Sequence, residues 1–310
     1  MDHTGIVLIP PRSFGFKRER RGKHHTSCND FSFSFETMKT STSAATSQFT
    51  RSNQKSSKTL YPPLPSSFPP GLIALHVLFL AVTILDIQAV LGFANAESAL
   101  AFYGVYHREP LNQAIHFWGV PLIMVTAFMA GAHMPLLSWK LSLPGMPQHY
   151  FSWATLWCIF YNIFYLSVDT VGGALYSPFL CLMYLIAVRW TAHDQKLAEA
   201  NLSKKADKAN AIIPWYGTGR VLTWALRLHL LSWWVQIVPG HKMIEGAQPA
   251  LMQSIGGAMT TAPLFAFYEA VWALGLRRDL HHKVLGLVDE YTKDLCEKGV
   301  KMRACPIQSN

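Results

Sequence analysis

Cysteine is scarce in this chain and forms no pattern. The five residues (Cys28, Cys158, Cys181, Cys296 and Cys305) include no C-x-x-C pair, and two lie inside apolar segments. Such spacing argues against a disulfide framework or a zinc site and predicts buried free thiols. Familiar catalytic signatures are also missing: there is no G-x-S-x-G elbow, Walker loop, dinucleotide fingerprint or H-E-x-x-H. The hydrolase, NTPase, Rossmann and zincin classes that those motifs mark therefore find no support. The repeated H-x-x-H-H boxes of membrane di-iron desaturases are absent too. No internal repeat is visible, which counts against a transporter built on inverted repeats. Charge is nearly missing from 114–139, 151–188 and 250–276.

What is present is apolar and unevenly spread. Half of the 310 residues are apolar and the mean hydropathy is +0.17. Charge gathers in 1–60, 189–210 and 277–303. Apolar blocks long enough to cross ~30 Å of hydrocarbon predict an all-α, polytopic membrane helical bundle. About five spans are expected, over 114–137, 151–168, 171–188, 218–238 and 250–276, plus an N-terminal signal or anchor helix. The net charge of +9 comes mostly from the N-terminal arm and the flanks. No aromatic-basic interleaving occurs on a soluble domain, so nucleic acid is not a partner; basic flanks suit anionic membrane lipid.

Four regions follow along the chain. Residues 1–70 are a basic, Ser/Thr/Pro-rich extension expected to be disordered, with a composition that also suits organelle targeting. Residues 71–96 read as a separable signal peptide or signal anchor: Leu72–Leu85 is apolar, Asp86 and Gln88 interrupt it, and Ala94-Asn95-Ala96 offers a cleavage site. Residues 97–280 form the membrane-embedded catalytic domain and 281–310 a charged tail. Asp169 and Gly172-Gly173 mark a hairpin between two spans, and 189–217 is polar and helical around Lys196–Asn210. Pro239-Gly240 is expected to break the span over 218–238. With the basic arm cytosolic and 71–93 crossing once, His107, His116, Asp169 and His241 fall on the far face. Lys140, the 189–217 loop and the C-terminal tail then fall on the cytosolic face.

Two clusters carry the chemistry. His107 and His116 flank Pro110 and Asn112 at the mouth of one apolar segment, and His241 and Glu245 stand four apart at the mouth of another. Ionisable groups at such mouths are costly and tend to be functional. Pro110 places His107 in a turn and His116 in the next helix, from where both imidazoles can meet His241 on one metal. The plainer reading of each histidine alone is an interfacial side chain bonded to a headgroup or carbonyl. Glu245 is a ligand, an acceptor behind a ligand, or a helix cap. His229 lies mid-segment, and Glu269 is an acid inside an apolar run that needs a partner. His281-His282 reads as a solvated face. Imidazoles with one carboxylate suit non-haem Fe(2+), and zinc fits the same ligands.

At these residues the chain resembles the small endoplasmic-reticulum membrane dioxygenases that act on 2-hydroxy fatty acids. Tyr106, His107, Pro110, Asn112, Ile115, His116 and Pro121 match the family's first block. Trp234, Gln236, Gly240, His241, Glu245, Pro249, Ala250 and Leu251 match the second, with Ala262-Pro263 and Glu269 following. The likeness covers roughly 97–280. It departs at one extra residue, Pro239, at the 189–217 loop and at the 1–96 extension. The resemblance implies an Fe(2+)-dependent dioxygenase that shortens a long-chain 2-hydroxy acid by one carbon in long-chain-base (phytosphingosine) breakdown. The histidines would hold iron, the 2-hydroxy acid would chelate it and O2 would take the remaining position. Phe117, Trp118, Met124, Phe128 and Met129 are candidates for an acyl groove, although lipid-facing or core packing is their ordinary role. A lipid-binding protein without catalysis, and a transporter with a His/Glu proton relay, are the competing readings.

Overall fold

The structure is a computed structural model that describes residues 70–93, 95–203, 216–300 and 305. The extension before Pro70, residues 204–215 of the polar loop and most of the tail beyond 300 lie outside them. In chain order the elements are α1 (Pro70–Val90), α2 (Ala96–Gly104), α3 (Pro110–Ala132), β1 (Pro135–Leu141), β2 (His149–Ser152), α4 (Trp153–Val168) and α5 (Thr170–Ser203). They continue with α6 (Arg220–Val235), a π-helical segment (Gln236–Glu245), a 3-10 turn (Ala250–Met252), α7 (Ile255–Ala273) and α8 (Arg278–Glu297). The protein is an all-helical membrane bundle. Among the described residues the only sheet is the antiparallel β1–β2 hairpin, which the sequence reading did not anticipate.

Among the described residues, four segments are long and apolar enough to cross a membrane: α1, α3, α5, and α6 with the π segment. α4 is shorter, at 16 residues. α3 is the central pillar and packs on α4, α5, α6 and α7. Its glycines permit close approach. A Cβ on Gly119 would stand 2.6 Å from Gln236 Nε2, and one on Gly131 would stand 2.9 Å from Ala154 N. Small residues let membrane helices pack closely where lipid provides no hydrophobic drive.

Several expected boundaries change. α1 is not a separable helix but a wall of the bundle, packed along α7. Asp86, which interrupts its apolar run, is turned inward and 1% exposed, and Tyr161 Oη donates to its Oδ2 at 3.0 Å. One turn earlier Trp157 Nε1 donates to Thr83 Oγ1 at 2.9 Å. The span over 171–188 and the polar stretch after it are one 34-residue helix, α5, about 51 Å long and so longer than the bilayer core. Pro239 does not end α6. The chain runs through it as a π-helix, and Gly246 N donates to His241 O at 2.9 Å, five residues back. A wider turn tolerates a residue that has no N–H.

The largest correction concerns 250–276. α7 does not cross. Gly256 near its start rests on the Leu85 backbone in the last turns of α1. Past its C-terminal end Arg277 Nη2 pairs with Asp169 Oδ2 at 3.1 Å, at the α4–α5 turn. Both places belong to the end of the bundle that carries the histidines. α8 follows at that end, its apolar face (Leu280, Val284, Val288, Tyr291, Leu295) packed on α2. Arg108 Nη2 pairs with Asp289 Oδ1 at 2.7 Å. α1 begins at the opposite, hairpin end, where His76 Nε2 lies 3.4 Å from Pro135 O. The C-terminal helix thus lies on the histidine side, not beside the start of α1 as the charge pattern suggested. The cysteine expectation also changes: Cys158 is a buried free thiol, but Cys296 and Cys305 are joined in a disulfide. Gly299, at φ 79°, turns the chain back between them.

Cysteines introduced at Ser138 and Glu290 in an otherwise cysteine-free chain should react with an impermeant maleimide from opposite sides of a sealed vesicle. Labelling of both from one side would restore a crossing α7.

Candidate metal centre

The first histidine is placed by a turn and a proline. His107 N donates to Gly104 O at 3.1 Å just past α2. Glu109, held extended (φ −83°, ψ 123°) by the proline after it, leads into Pro110 at the first position of α3. His116 lies in the second turn of α3, and His241 sits midway along the π segment.

These three side chains meet. One potential ligand atom from each lies within 4.8 Å of the other two. Ring centroids are 4.4 Å (His107–His116), 4.7 Å (His107–His241) and 4.9 Å (His116–His241) apart. All three are buried. His107 Nδ1 donates to Tyr103 O and His116 Nδ1 to Asn112 O, both at 2.9 Å and both one helical turn back. A carbonyl only accepts, so each Nδ1 carries the proton and each Nε2 keeps a free lone pair. His107 Nε2 and His241 Nδ1 are buried without a partner. Burial, with His116 and His241 as neighbours, holds the pKa of His107 well below its ordinary value. It is therefore neutral at pH 7, the form that binds metal.

A transition metal fits this donor set. Three oriented imidazoles supply lone pairs, and two bare nitrogens lie buried where an unpaired polar atom is otherwise a cost. Two metal–nitrogen bonds of about 2.1 Å allow ligand atoms up to about 4.2 Å apart, close to the spacing present. Three protein ligands leave further positions open.

Glu245 is not in this group. Its Oε1 accepts from Arg108 N at 2.9 Å, and its Oε2 from Glu109 N at 3.1 Å and Asn112 Nδ2 at 3.0 Å. It caps the N-terminus of α3 from another segment, where Glu109 supplies no side-chain cap of its own. Asn112 is fully buried and joins the two halves of the site, since its amide holds Glu245 and its carbonyl holds His116.

The other candidates are placed differently. His229 accepts from Trp233 Nε1 and donates through Nδ1 to Thr126 Oγ1, both at 3.0 Å, so neither nitrogen is free for a metal. Glu269 is outside the cluster. Its carboxylate oxygens are buried without partners, within electrostatic reach of Glu245. His281 stacks on Trp272 with centroids 4.5 Å apart. Tyr103 is a contributor to which the sequence assigns no role. Its ring stacks on His107 at 3.9 Å, and its carbonyl orients the same imidazole. The four-residue spacing on α2 is the signal that would have found it. The histidines head a narrow apolar cavity, which Met124 and Phe128 line; Phe117, Trp118 and Met129 do not.

The family model described as "2-hydroxy-palmitic acid dioxygenase Mpo1-like" matches residues 93–273. The 2-hydroxy-palmitic acid dioxygenase MPO1 of Saccharomyces cerevisiae is 27% identical over 195 residues, covering 62% of this chain and 90% of the yeast protein. No solved structure matches.

Glu245→Ala should cost about 1–3 kcal/mol of stability, because it leaves buried donors unpaired; Glu245→Gln, which keeps an acceptor oxygen, should cost less. Metal affinity in Glu245→Ala should fall by about 10- to 100-fold without vanishing. Unfolding in detergent and metal titration check both, and unchanged stability and affinity would remove Glu245 from this role.

Proposed function

Because this chain belongs to the Mpo1-like family of 2-hydroxy fatty acid dioxygenases, we propose that it is an Fe(2+)-dependent enzyme that shortens long-chain 2-hydroxy fatty acids by one carbon. The observation that carries this reading is the meeting of three buried histidines at the head of an apolar cavity. Loss of the carboxyl carbon balances without a further reductant: the 2-hydroxy acid and O2 give the acid one carbon shorter, carbon dioxide and water. Iron held by His107, His116 and His241 would supply the redox chemistry that O2 requires.

The chain's own residues prepare the site. Tyr103 and Asn112 fix the two imidazoles of His107 and His116 in the ligating tautomer through their carbonyls. Glu245 holds the π segment against α3 and keeps His241 in place. The apolar walls exclude water and receive the acyl chain, with the carboxylate and 2-hydroxyl at the histidines that head the cavity. Three neutral ligands bring no negative charge to a divalent ion, so an anionic substrate is favoured there. A substrate held in the bilayer suits a site inside a helical bundle, and we place the reaction in the endoplasmic-reticulum membrane, in long-chain-base breakdown.

Detergent-purified protein given Fe(2+) and O2 should convert a long-chain 2-hydroxy fatty acid to the acid one carbon shorter. His116→Ala and His241→Ala should lose bound iron and turnover together, by more than the roughly 100-fold that residues behind the ligands reach. His193→Ala, at an exposed position, should match the wild type. Full turnover in both ligand variants, or equal activity with iron chelated away, would overturn the mechanism.

A further inference from the structure

The cavity that starts at the histidines runs down the bundle along one face of α3. His116, Val120, Ile123, Met124, Ala127 and Phe128 line it, at the spacing of a single helical stripe. α6 and the π segment face that stripe with His229, Trp233, Gln236 and His241. The 3.0 Å hydrogen bond between Thr126 Oγ1 and His229 Nδ1 sets the two stripes at matching depth. From His116 to Phe128 the helix rises about 18 Å. With bonds near 1.5 Å and tetrahedral angles, extended hydrocarbon advances about 1.25 Å per carbon, so the stripe spans about 14 carbons.

Two aromatic side chains stand at the deep end. Phe128 is 1% exposed and Trp157 is 6% exposed, and both line the cavity. Neither is free to swing away. Trp157 is tied to Thr83 by its indole N–H at 2.9 Å and is packed against α3 at Gly131, where a Cβ would come within 3.3 Å of the ring. Phe128 meets Tyr184 edge-on at 6.4 Å, and Tyr184 Oη is held by Thr155 at 2.9 Å and His149 at 2.6 Å. α4 and the β2 strand thereby brace this floor from behind.

Resting on the function proposed above, we infer that Phe128 and Trp157 are specificity-determining residues that stop the methyl end of the acyl chain and set its length limit. With the carboxyl carbon and C2 at the histidines, the channel accepts a chain of about 16 carbons. Each methylene short of the floor forgoes about fourfold in kcat/KM. A chain that is too long must displace a braced aromatic wall, which close-packed interiors resist.

The experiment is a chain-length profile of kcat/KM for saturated 2-hydroxy acids of 12 to 22 carbons. It uses the full chain in detergent with Fe(2+). The wild type should peak near 16 carbons. Phe128→Ala should move the peak roughly two to four carbons longer, and Ala127→Leu, which fills the channel above the floor, should move it shorter. Ratios between chain lengths within one variant do not depend on the fraction folded. If Phe128→Ala fails to fold, Ala127→Leu alone decides. Identical length ratios in both variants and the wild type would overturn the inference. Affinities for saturated fatty acids lacking the 2-hydroxyl give a second reading with no turnover, and should shift the same way. If the wild type turns over no 2-hydroxy acid while the binding profile still shifts, the proposed reaction fails and the floor stands.

Discussion

A single buried carboxylate holds the site together. Glu245 reaches from the end of the π segment to the backbone beside His107 and to the side chain of Asn112, whose carbonyl orients His116. The carboxylate thus holds the backbone next to His107, the residue that orients His116, and the segment that carries His241. It is held by the two backbone N–H groups just before α3 and by the Asn112 amide, at the end of the helix where the dipole favours negative charge. Remove that interaction and His241 is held near the other two by packing and by the hydrogen bonds from α6 to α3 further along, Ser232 Oγ to Gly119 O at 2.9 Å and His229 Nδ1 to Thr126 Oγ1 at 3.0 Å. The rest of the architecture serves this junction: α3 must start where Pro110 starts it, and the π segment must end where Gly246 turns.

Part of this was legible in the sequence. A proline between two histidines dictates a turn followed by a helix, and two polar clusters at the mouths of apolar runs have one cheap way to share a buried space. Which way a residue faces was not legible. Asp86 looked like a flaw in an apolar segment because composition does not say that Tyr161 waits for it across the bundle. Glu245 looked equally suited to a ligand or to a cap, because spacing along its own helix is silent about the helix it actually caps. Length is silent about the course of α7: where an apolar run lies in the bundle is decided by the residues at its two ends, here Gly256 against Leu85 and Arg277 against Asp169. The Cys296–Cys305 link escaped because nine residues of separation reveal nothing about the reversal at Gly299.

The two ends of the bundle differ in kind. At the histidine end the cluster is closed over by α2, α7 and α8, with Val288 and Phe265 packed so tightly on Gly104 that a Cβ there would sit 2.9 Å from the valine methyl. At the other end the β hairpin, Trp153 and Trp157 form an aromatic plug with Phe79, the rings 4.6 to 5.9 Å apart. The interior between them is mostly apolar, and most of the polar groups named there have a partner; Glu269, with both carboxylate oxygens buried and unbonded, is an exception.

The π segment has a consequence for orientation. One residue added to an ordinary α-helix rotates everything beyond it by about 100°, which would swing the cavity-lining side of α6 out toward lipid. Through the wide turns of Gln236–Glu245 the chain carries Pro239 without such a rotation. Trp233 and Gln236 upstream still face the same cavity as His241 downstream, while Trp234 between them remains outside at 56% exposure. The π segment therefore keeps the residues before and after Pro239 on one cavity-facing side.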